Sequence, residues 1–336
     1  MSRRKILKFA GALTLSPVLT ACRAKQVPLL SGRTMGTRYS VQLEQIPKRI
    51  SLSSLKKEIE SVLENTESLM SLYRSDSELS LINGSDPGVW HVLSPSTLRV
   101  VKHGLKTMRL SGGAYNPASG PLVDYWGFGS QMRIAPPLQR QIPLEVMNSV
   151  GASAFDIDHE AIRKNHAESA LNLNAIAKGD AVDQLAQVLE RWGIPNFMVG
   201  IGGELYARGS GPRGDRWQIG IEHPDGGILT AVSVDQQAVA TSGDYVHFAL
   251  DHGRRISHLM NPKTGKPISD RLALVSVVAD SAIDADAWAT ALMVMGPDEG
   301  FRFALQHDMK AVFLKREAAE YKMLQTPRFK SVATMT

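Results

Sequence analysis

The chain has 336 residues and a single cysteine, Cys22, so no intramolecular disulfide can form and stability must come from a buried core. It also lacks an apolar run long enough to span a bilayer. The stretch Phe9–Leu19 is interrupted by Gly11, Thr14, Ser16 and Pro17 and falls well short of the ~20 residues a spanning helix needs. No internal repeat or low-complexity tract is present. Walker-type P-loop, Rossmann glycine fingerprint and Cys/His zinc spacing are all missing, which excludes the commonest nucleotide and zinc modules. Charge of one sign is scarce as well. The formal net charge is +5, but Arg3, Arg4, Lys5 and Lys8 supply four of those charges near the N-terminus. The rest of the chain is nearly balanced and gives no footing for a nucleic-acid surface.

What the N-terminus does contain is a basic segment, Ser2-Arg3-Arg4-Lys5-Ile6-Leu7-Lys8, a short apolar run, and small residues. That order describes an export signal, and S-R-R-x-x-L-K resembles the twin-arginine type that carries folded cargo. Leu19-Thr20-Ala21-Cys22 resembles the bacterial lipobox, in which the cysteine is lipidated and becomes the mature N-terminus. The expected organisation is a signal over 1–21, a membrane tether over 22–31 and one large domain over 32–333. The expected location is the periplasmic face of a bacterial envelope, lipid-anchored through Cys22, on the inner membrane rather than the outer.

With 43% hydrophobic residues the chain is long enough for a large core. Alternation predicts strands at Thr37–Leu43, Trp217–Glu222, Leu229–Val234, Tyr245–Leu250, Arg255–Met260 and Leu272–Val278, and an apolar run predicts a buried strand at Phe197–Ile201. Helical spacing predicts Ser54–Met70, Ala177–Trp192 and Asp284–Met295, and Ser94-Pro95 opens a further helix to about Leu110. Residues 127–143 read as an exposed loop. Helices and strands do not alternate regularly, so an α+β fold is expected: a mixed, largely antiparallel core with flanking helices and two intertwined subdomains.

The chemistry concentrates between Ala240 and Gly296. Asp286 and Thr290 lie four apart on a predicted helix, so both project from one face, and a carboxylate with a hydroxyl, carbonyls and waters suits Mg²⁺. The competing expectation is that Asp284 or Asp286 merely caps the helix. His258 shares a strand face with Ile256 and Met260, where a hydrogen-bonded core histidine is the alternative to a catalytic one. Thr241-Ser242-Gly243 reads as a turn offering hydroxyls, and Asn261-Pro262-Lys263-Thr264-Gly265 as a turn with exposed amides and a cation. Ala175-Ile176-Ala177-Lys178-Gly179 opens a helix whose free amides favour phosphate. Gly202-Gly203-Glu204 reads as a tight turn.

Taken in order, Thr34-Met35-Gly36-Thr37, Pro121-Leu122-Val123 with Trp126-Gly127-Phe128-Gly129, Ala175–Gly179 with Val182-Asp183, Gly202-Gly203-Glu204, Ala240–Tyr245, His258 with Asn261–Gly265, and Ala285-Asp286 with Ala289-Thr290 resemble the ApbE family of FAD:protein FMN transferases. The resemblance covers roughly residues 32–330. It implies a Mg²⁺-dependent enzyme that splits FAD, moves FMN onto a Thr or Ser hydroxyl of a partner protein and releases AMP, with subunits of membrane redox complexes as expected acceptors. It implies that Met35, Tyr73, Ala114, Tyr115, Asn116, Asn172, Lys178 and Met260 line the FAD site. Asp286 and Thr290, with the Ala175 carbonyl, would hold the metal, and His258 would assist the acceptor hydroxyl. Four positions depart from the family pattern: Asn172 and Asn261 stand where Asp is usual, Asp180 where an aromatic is common, and Ala289 where some members carry a carboxylate. An FAD pyrophosphatase and a non-enzymatic FAD-binding lipoprotein are the alternative functions.

Overall fold

The computed structural model describes residues 29–129, 141–151, 153–245, 248–251, 254–317 and 320–334. The expected signal, Cys22, most of the tether and the middle of the 127–143 loop lie outside the described residues. In chain order the elements are β1 (Leu29–Thr34), β2 (Thr37–Glu44), α1 (Leu52–Met70), α2 (Glu78–Gly84), β3 (His91–Val92), α3 (Pro95–Leu110), α4 (Gly120–Tyr125) and α5 (Leu144–Asn148). There follow β4 (Phe155–Asp158), β5 (Ala161–Lys164), α6 (Ala177–Arg191), β6 (Asn196–Ile201), β7 (Glu204–Arg208), β8 (Trp217–Glu222), β9 (Ile228–Val234) and β10 (Gln237–Gly243). The chain continues through β11 (Phe248–Asp251), β12 (Arg254–Ser257), β13 (Leu272–Ala279), α7 (Ala282–Gln306), β14 (Lys310–Glu317), β15 (Glu320–Gln325) and α8 (Pro327–Lys330).

Eight strands form one sheet in the order β1-β2-β6-β7-β10-β13-β14-β15, antiparallel throughout. Helices α1 and α6 bury Leu55, Ile59, Val182, Leu185 and Leu189 against Val41, Leu43, Phe197 and Val199 on one face. On the opposite face the β8–β9 ribbon adds Trp217, Ile219, Val232 and Val234 to Leu274, Val312 and Phe329. The strict in–out alternation of β8 follows from that packing, since every second side chain has nowhere apolar to go. A smaller unit built on the three-stranded sheet β3-β5-β4 is inserted between β2 and β6, and its core closes on Ile283, Ala287 and Ala291 of α7. Helix α7 is therefore apolar nearly all round because it is packed nearly all round. It breaks at Gly296 (φ 84°), just before Pro297. The fold is α+β as expected, and no helix among the described residues is long and apolar enough to cross a membrane.

Two expectations need correction. Thr241-Ser242-Gly243 is not a turn: it is the end of β10, paired with Ser276, Val275 and Leu274 of β13. Strand β12 stops at Ser257, so His258 lies in a bend instead of on a strand face shared with Met260. The Ser257 side chain causes the bend, its Oγ accepting the Leu259 N–H at 3.1 Å, and Met260 makes only an isolated bridge to Pro267.

Candidate active site

Helices α6 and α7 meet at backbone contact. A Cβ on Gly179 would collide with the Ala282 carbonyl oxygen and lie 2.8 Å from Ile283 Cα, so only glycine permits the approach. Asp183, one turn along α6, accepts the first two amides of α7, from Ala282 at 2.7 Å and Ile283 at 2.9 Å. The helix cap itself is Ser281, whose Oγ accepts from the Asp284 amide and donates to the Asp284 carboxylate at 2.6 Å. Capping is thus shared among Ser281, Asp284 and Asp183, and Asp286 is left for another task.

Asp286 is 5% exposed, and its Oδ2 accepts the Gly179 N–H at 3.1 Å. The amide expected to await a phosphate is therefore engaged by this carboxylate. Across from it, Lys178 Nζ lies 2.5 Å from Glu204 Oε1. Glu204 is 3% exposed and also accepts the Gly203 N–H at 3.2 Å. The group thus holds two acids and one base. Burial pushes the Asp286 carboxyl up to about 7; Lys178 and the Gly179 amide oppose this and Glu204 adds to it. Burial works to lower the Lys178 ammonium, but Asp286 and Glu204 outweigh it and hold it above the usual lysine value. Glu204 is the functional candidate that sequence reasoning missed. A Gly-Gly-Glu turn looks like a chain reversal, and its partner is distant in sequence.

Thr290 is buried one turn beyond Asp286 on α7, and Ala175 packs on the core that contains Ile176, Ala177 and Ala287. Among the described residues no group of three His, Cys, Asp or Glu could cage a metal. The set the family resemblance implies, the Asp286 carboxylate, the Thr290 hydroxyl and the Ala175 carbonyl, is of a kind that suits Mg²⁺, because that ion keeps waters and takes its remaining oxygens from phosphate.

Tyr115 sits in the same core, its hydroxyl buried without a hydrogen-bond partner; burial first, and the Asp286 charge second, raise it well above the ordinary tyrosine value. Ala114 is buried beside it. Asn116 turns the other way, donating to the Val150 carbonyl at 2.8 Å and accepting from Ala118 N–H. Val150 packs with Leu122, Trp126 and Met260. The Trp126 indole N–H donates to the Gly265 carbonyl at 2.8 Å, which ties the Pro121–Gly129 segment to the Asn261–Gly265 loop. The Asn172 backbone N–H donates to the Pro117 carbonyl at 2.7 Å. His258 is half-buried, its ring edge-on to Phe128 at 6.4 Å between centroids. Met35, at φ 48° in the β1–β2 turn, is held by its amide to Glu67 of α1. That turn and the β6–β7 turn carrying Glu204 lie side by side, with the Gly202 amide bound to the Arg38 carbonyl. Tyr73 stands apart, 74% exposed, with only its amide held by Ser71.

Three of the four departures have local explanations. Asn261 accepts the Lys263 and Thr264 amides through Oδ1, a turn role in which its amide oxygen replaces a carboxylate oxygen. Asp180 is buried and paired with Arg99 of α3 at 3.0 and 2.9 Å. Ala289 packs with Leu272, Val275 and Phe313 in the core between α7 and the sheet, where a small apolar side chain fits. Asn172 Oδ1 accepts from the Asn174 amide, and nothing in the structure explains the loss of the charge.

A sequence profile of the ApbE family matches residues 35–313. A curated FAD:protein FMN transferase of Vibrio cholerae is 35% identical over 95% of this chain and 97% of its own length. The Escherichia coli K12 protein of the same name is 31% identical over 92% and 90%. Among solved structures, the flavin transferase ApbE from Vibrio cholerae superposes with a TM-score of 0.80 at 34% identity, covering 91% of this chain and 98% of that one. The apo flavinyl transferase ApbE of Pseudomonas stutzeri gives 0.83 at 33%, covering 91% and 96%. With its fold, its ordered motifs and its full-length relatives in agreement, the chain belongs to the ApbE family.

Proposed function

We propose that this chain is a Mg²⁺-dependent FAD:protein FMN transferase. The observation that carries the reading is the buried Asp286 beside Lys178 and the start of α6, with one more acid than base, in a chain that matches curated transferases along nearly its whole length. Asp286, Thr290 and the Ala175 carbonyl would hold the metal, which when bound neutralises charge on the pyrophosphate. Lys178 stays charged under the joint influence of Asp286 and Glu204 and presents a cation to the same phosphates. The segments carrying Asn116, Asn172 and Met260 are pinned to one another and supply the walls for the flavin half.

In the reaction the acceptor hydroxyl oxygen bonds to the FMN phosphorus, and the bond from that phosphorus to the AMP phosphate oxygen breaks. The hydroxyl proton passes to His258, and AMP departs. A base at that position would improve a poor nucleophile, while positioning supplies most of the remaining rate. By the same reading the enzyme is anchored through Cys22 on the periplasmic face of the inner membrane, with subunits of membrane redox complexes as acceptors.

The test is incubation of purified protein with FAD, Mg²⁺ and an exported candidate acceptor, with and without chelator. Flavin fluorescence on the acceptor that survives a denaturing gel, with one AMP released per flavin transferred, is the expected result. AMP with free FMN would make the protein a pyrophosphatase, and FAD binding without AMP would make it a carrier. A Cys22→Ser variant recovered in the membrane fraction would sink the anchor.

A further inference from the structure

We propose that Asp244 is a positioning residue for His258, acting through Arg255 and the strand that joins them. The inference rests on the reading of His258 as the group that receives the acceptor proton. Asp244 follows the Thr241-Ser242-Gly243 end of β10 and is fully buried. Arg316, from the end of β14, takes both of its carboxylate oxygens at 2.9 and 2.5 Å and also donates to the carbonyls of Asp270 and Leu272, both at 2.8 Å. That pair alone satisfies the buried charge and fastens β10 to the entrance of β13.

A second guanidinium is present. Arg255 of β12 reaches the same carboxylate, Nη1 to Oδ1 at 3.7 Å, and its planar head lies 4.1 Å over the Phe248 ring of β11. Its side chain is about a third exposed, and an ion pair of that kind adds little stability. What it does is direct β12. From Arg255 the chain passes through Ile256 and Ser257, both buried, and the Ser257 hydroxyl sets the bend that carries His258. Downstream, Leu259 and Asn261 are clamped by backbone bonds to Ile268 and Lys266. His258 therefore hangs between two fixed points, and Asp244 supplies the upstream one.

The decisive variant is Arg255→Gln, because it leaves the Arg316–Asp244 pair intact. Its melting temperature should stay within about 2 °C of wild type, as expected when a partly exposed cation 3.7 Å from a carboxylate already paired with Arg316 is removed. KM for FAD should hold within about twofold while kcat for transfer falls about tenfold, the cost of a base displaced by a fraction of an ångström. Arg255→Lys should recover most of the rate, since a contact at this distance needs only a point charge. Added to His258→Ala, Arg255→Gln should cost nothing more, because the group it aims is gone. A slow His258→Ala with a wild-type rate for Arg255→Gln would overturn this inference alone, as would full additivity in the double variant. A wild-type rate for His258→Ala would overturn the base assignment and this inference together.

Discussion

Two pairs of residues, each two apart on one helix, divide α6 and α7 into two chemistries. On α6, Asp180 faces α3 and is taken by the Arg99 guanidinium and Gln184, while Lys178 faces the β6–β7 turn and Glu204. On α7, Asp284 faces α3, with Oδ1 3.1 Å from His103 Nε2 and Oδ2 accepting from the Ser281 hydroxyl, while Asp286 points to the start of α6. Positions two apart lie on opposite sides of a helix, so one helix pair presents a face whose acids are paired, the closed face in the electrostatic sense, and one left with more acid than base, the open face. On the closed face each acid has its own partners, and the nearby His103 ring, opposed by burial and helped by Ser281, draws the Asp284 carboxyl below its ordinary value. On the open face burial drives Asp286 the other way, to about 7. Acids of the same type diverge because one side supplies enough donors and the other leaves a deficit for a ligand to fill.

The sharpest way to test that contrast is Asp286→Asn. Transfer and AMP release should fall about a thousandfold, the scale of losing a main electrostatic group, while the melting temperature stays equal or rises. A large loss of stability with modest loss of rate would place Asp286 on the structural side. Next in size, His258→Ala should slow transfer about a hundredfold with FAD affinity little changed, measured by flavin fluorescence titration. Equal loss of binding and rate would reduce His258 to packing.

The closed face should answer in the opposite currency. Arg99→Ala leaves Asp180 buried with only Gln184, and should cost about 2 kcal/mol of stability in denaturant unfolding with kcat per folded molecule unchanged. The smallest effect belongs to His103→Leu. A depressed carboxyl contributes stability above its unfolded value near 4 and loses it as pH falls through the lower folded value. The variant should therefore melt about 1 °C below wild type at pH 5, a gap that closes as pH falls through the lowered Asp284 value. A gap that widens in acid would contradict the Asp284 assignment.

Much of this arrangement is legible in local sequence. Ser94 with Pro95 marks the start of α3 because cap and first turn are local events, and the alternation of Trp217–Glu222 reports a strand with one wet face. The Asp286/Thr290 spacing is a helix-face argument and needs no tertiary knowledge. Glu204, Arg99 and Arg255 are different: each gains its meaning from a partner brought near only by the fold. Thr241-Ser242-Gly243 misleads because its small polar residues resemble a turn, whereas pairing with β13 overrides that local preference. His258 misleads in the reverse sense, since Ser257 ends a strand that the apolar alternation through Met260 would continue.

The sheet order also has a consequence for how the chain is made. Strand β2 pairs on its inner side with β6, Tyr39 against Ile201, so the first hairpin waits for a neighbour synthesised much later. At typical ribosomal speed that wait is on the order of ten seconds, with β2 presenting an open edge throughout. A nascent chain in this condition is exposed to wrong pairing, and its closure is a long-range, slow event. The first hairpin therefore joins the sheet only once β6 has emerged, and the unit inserted between β2 and β6 is closed off in that same late step.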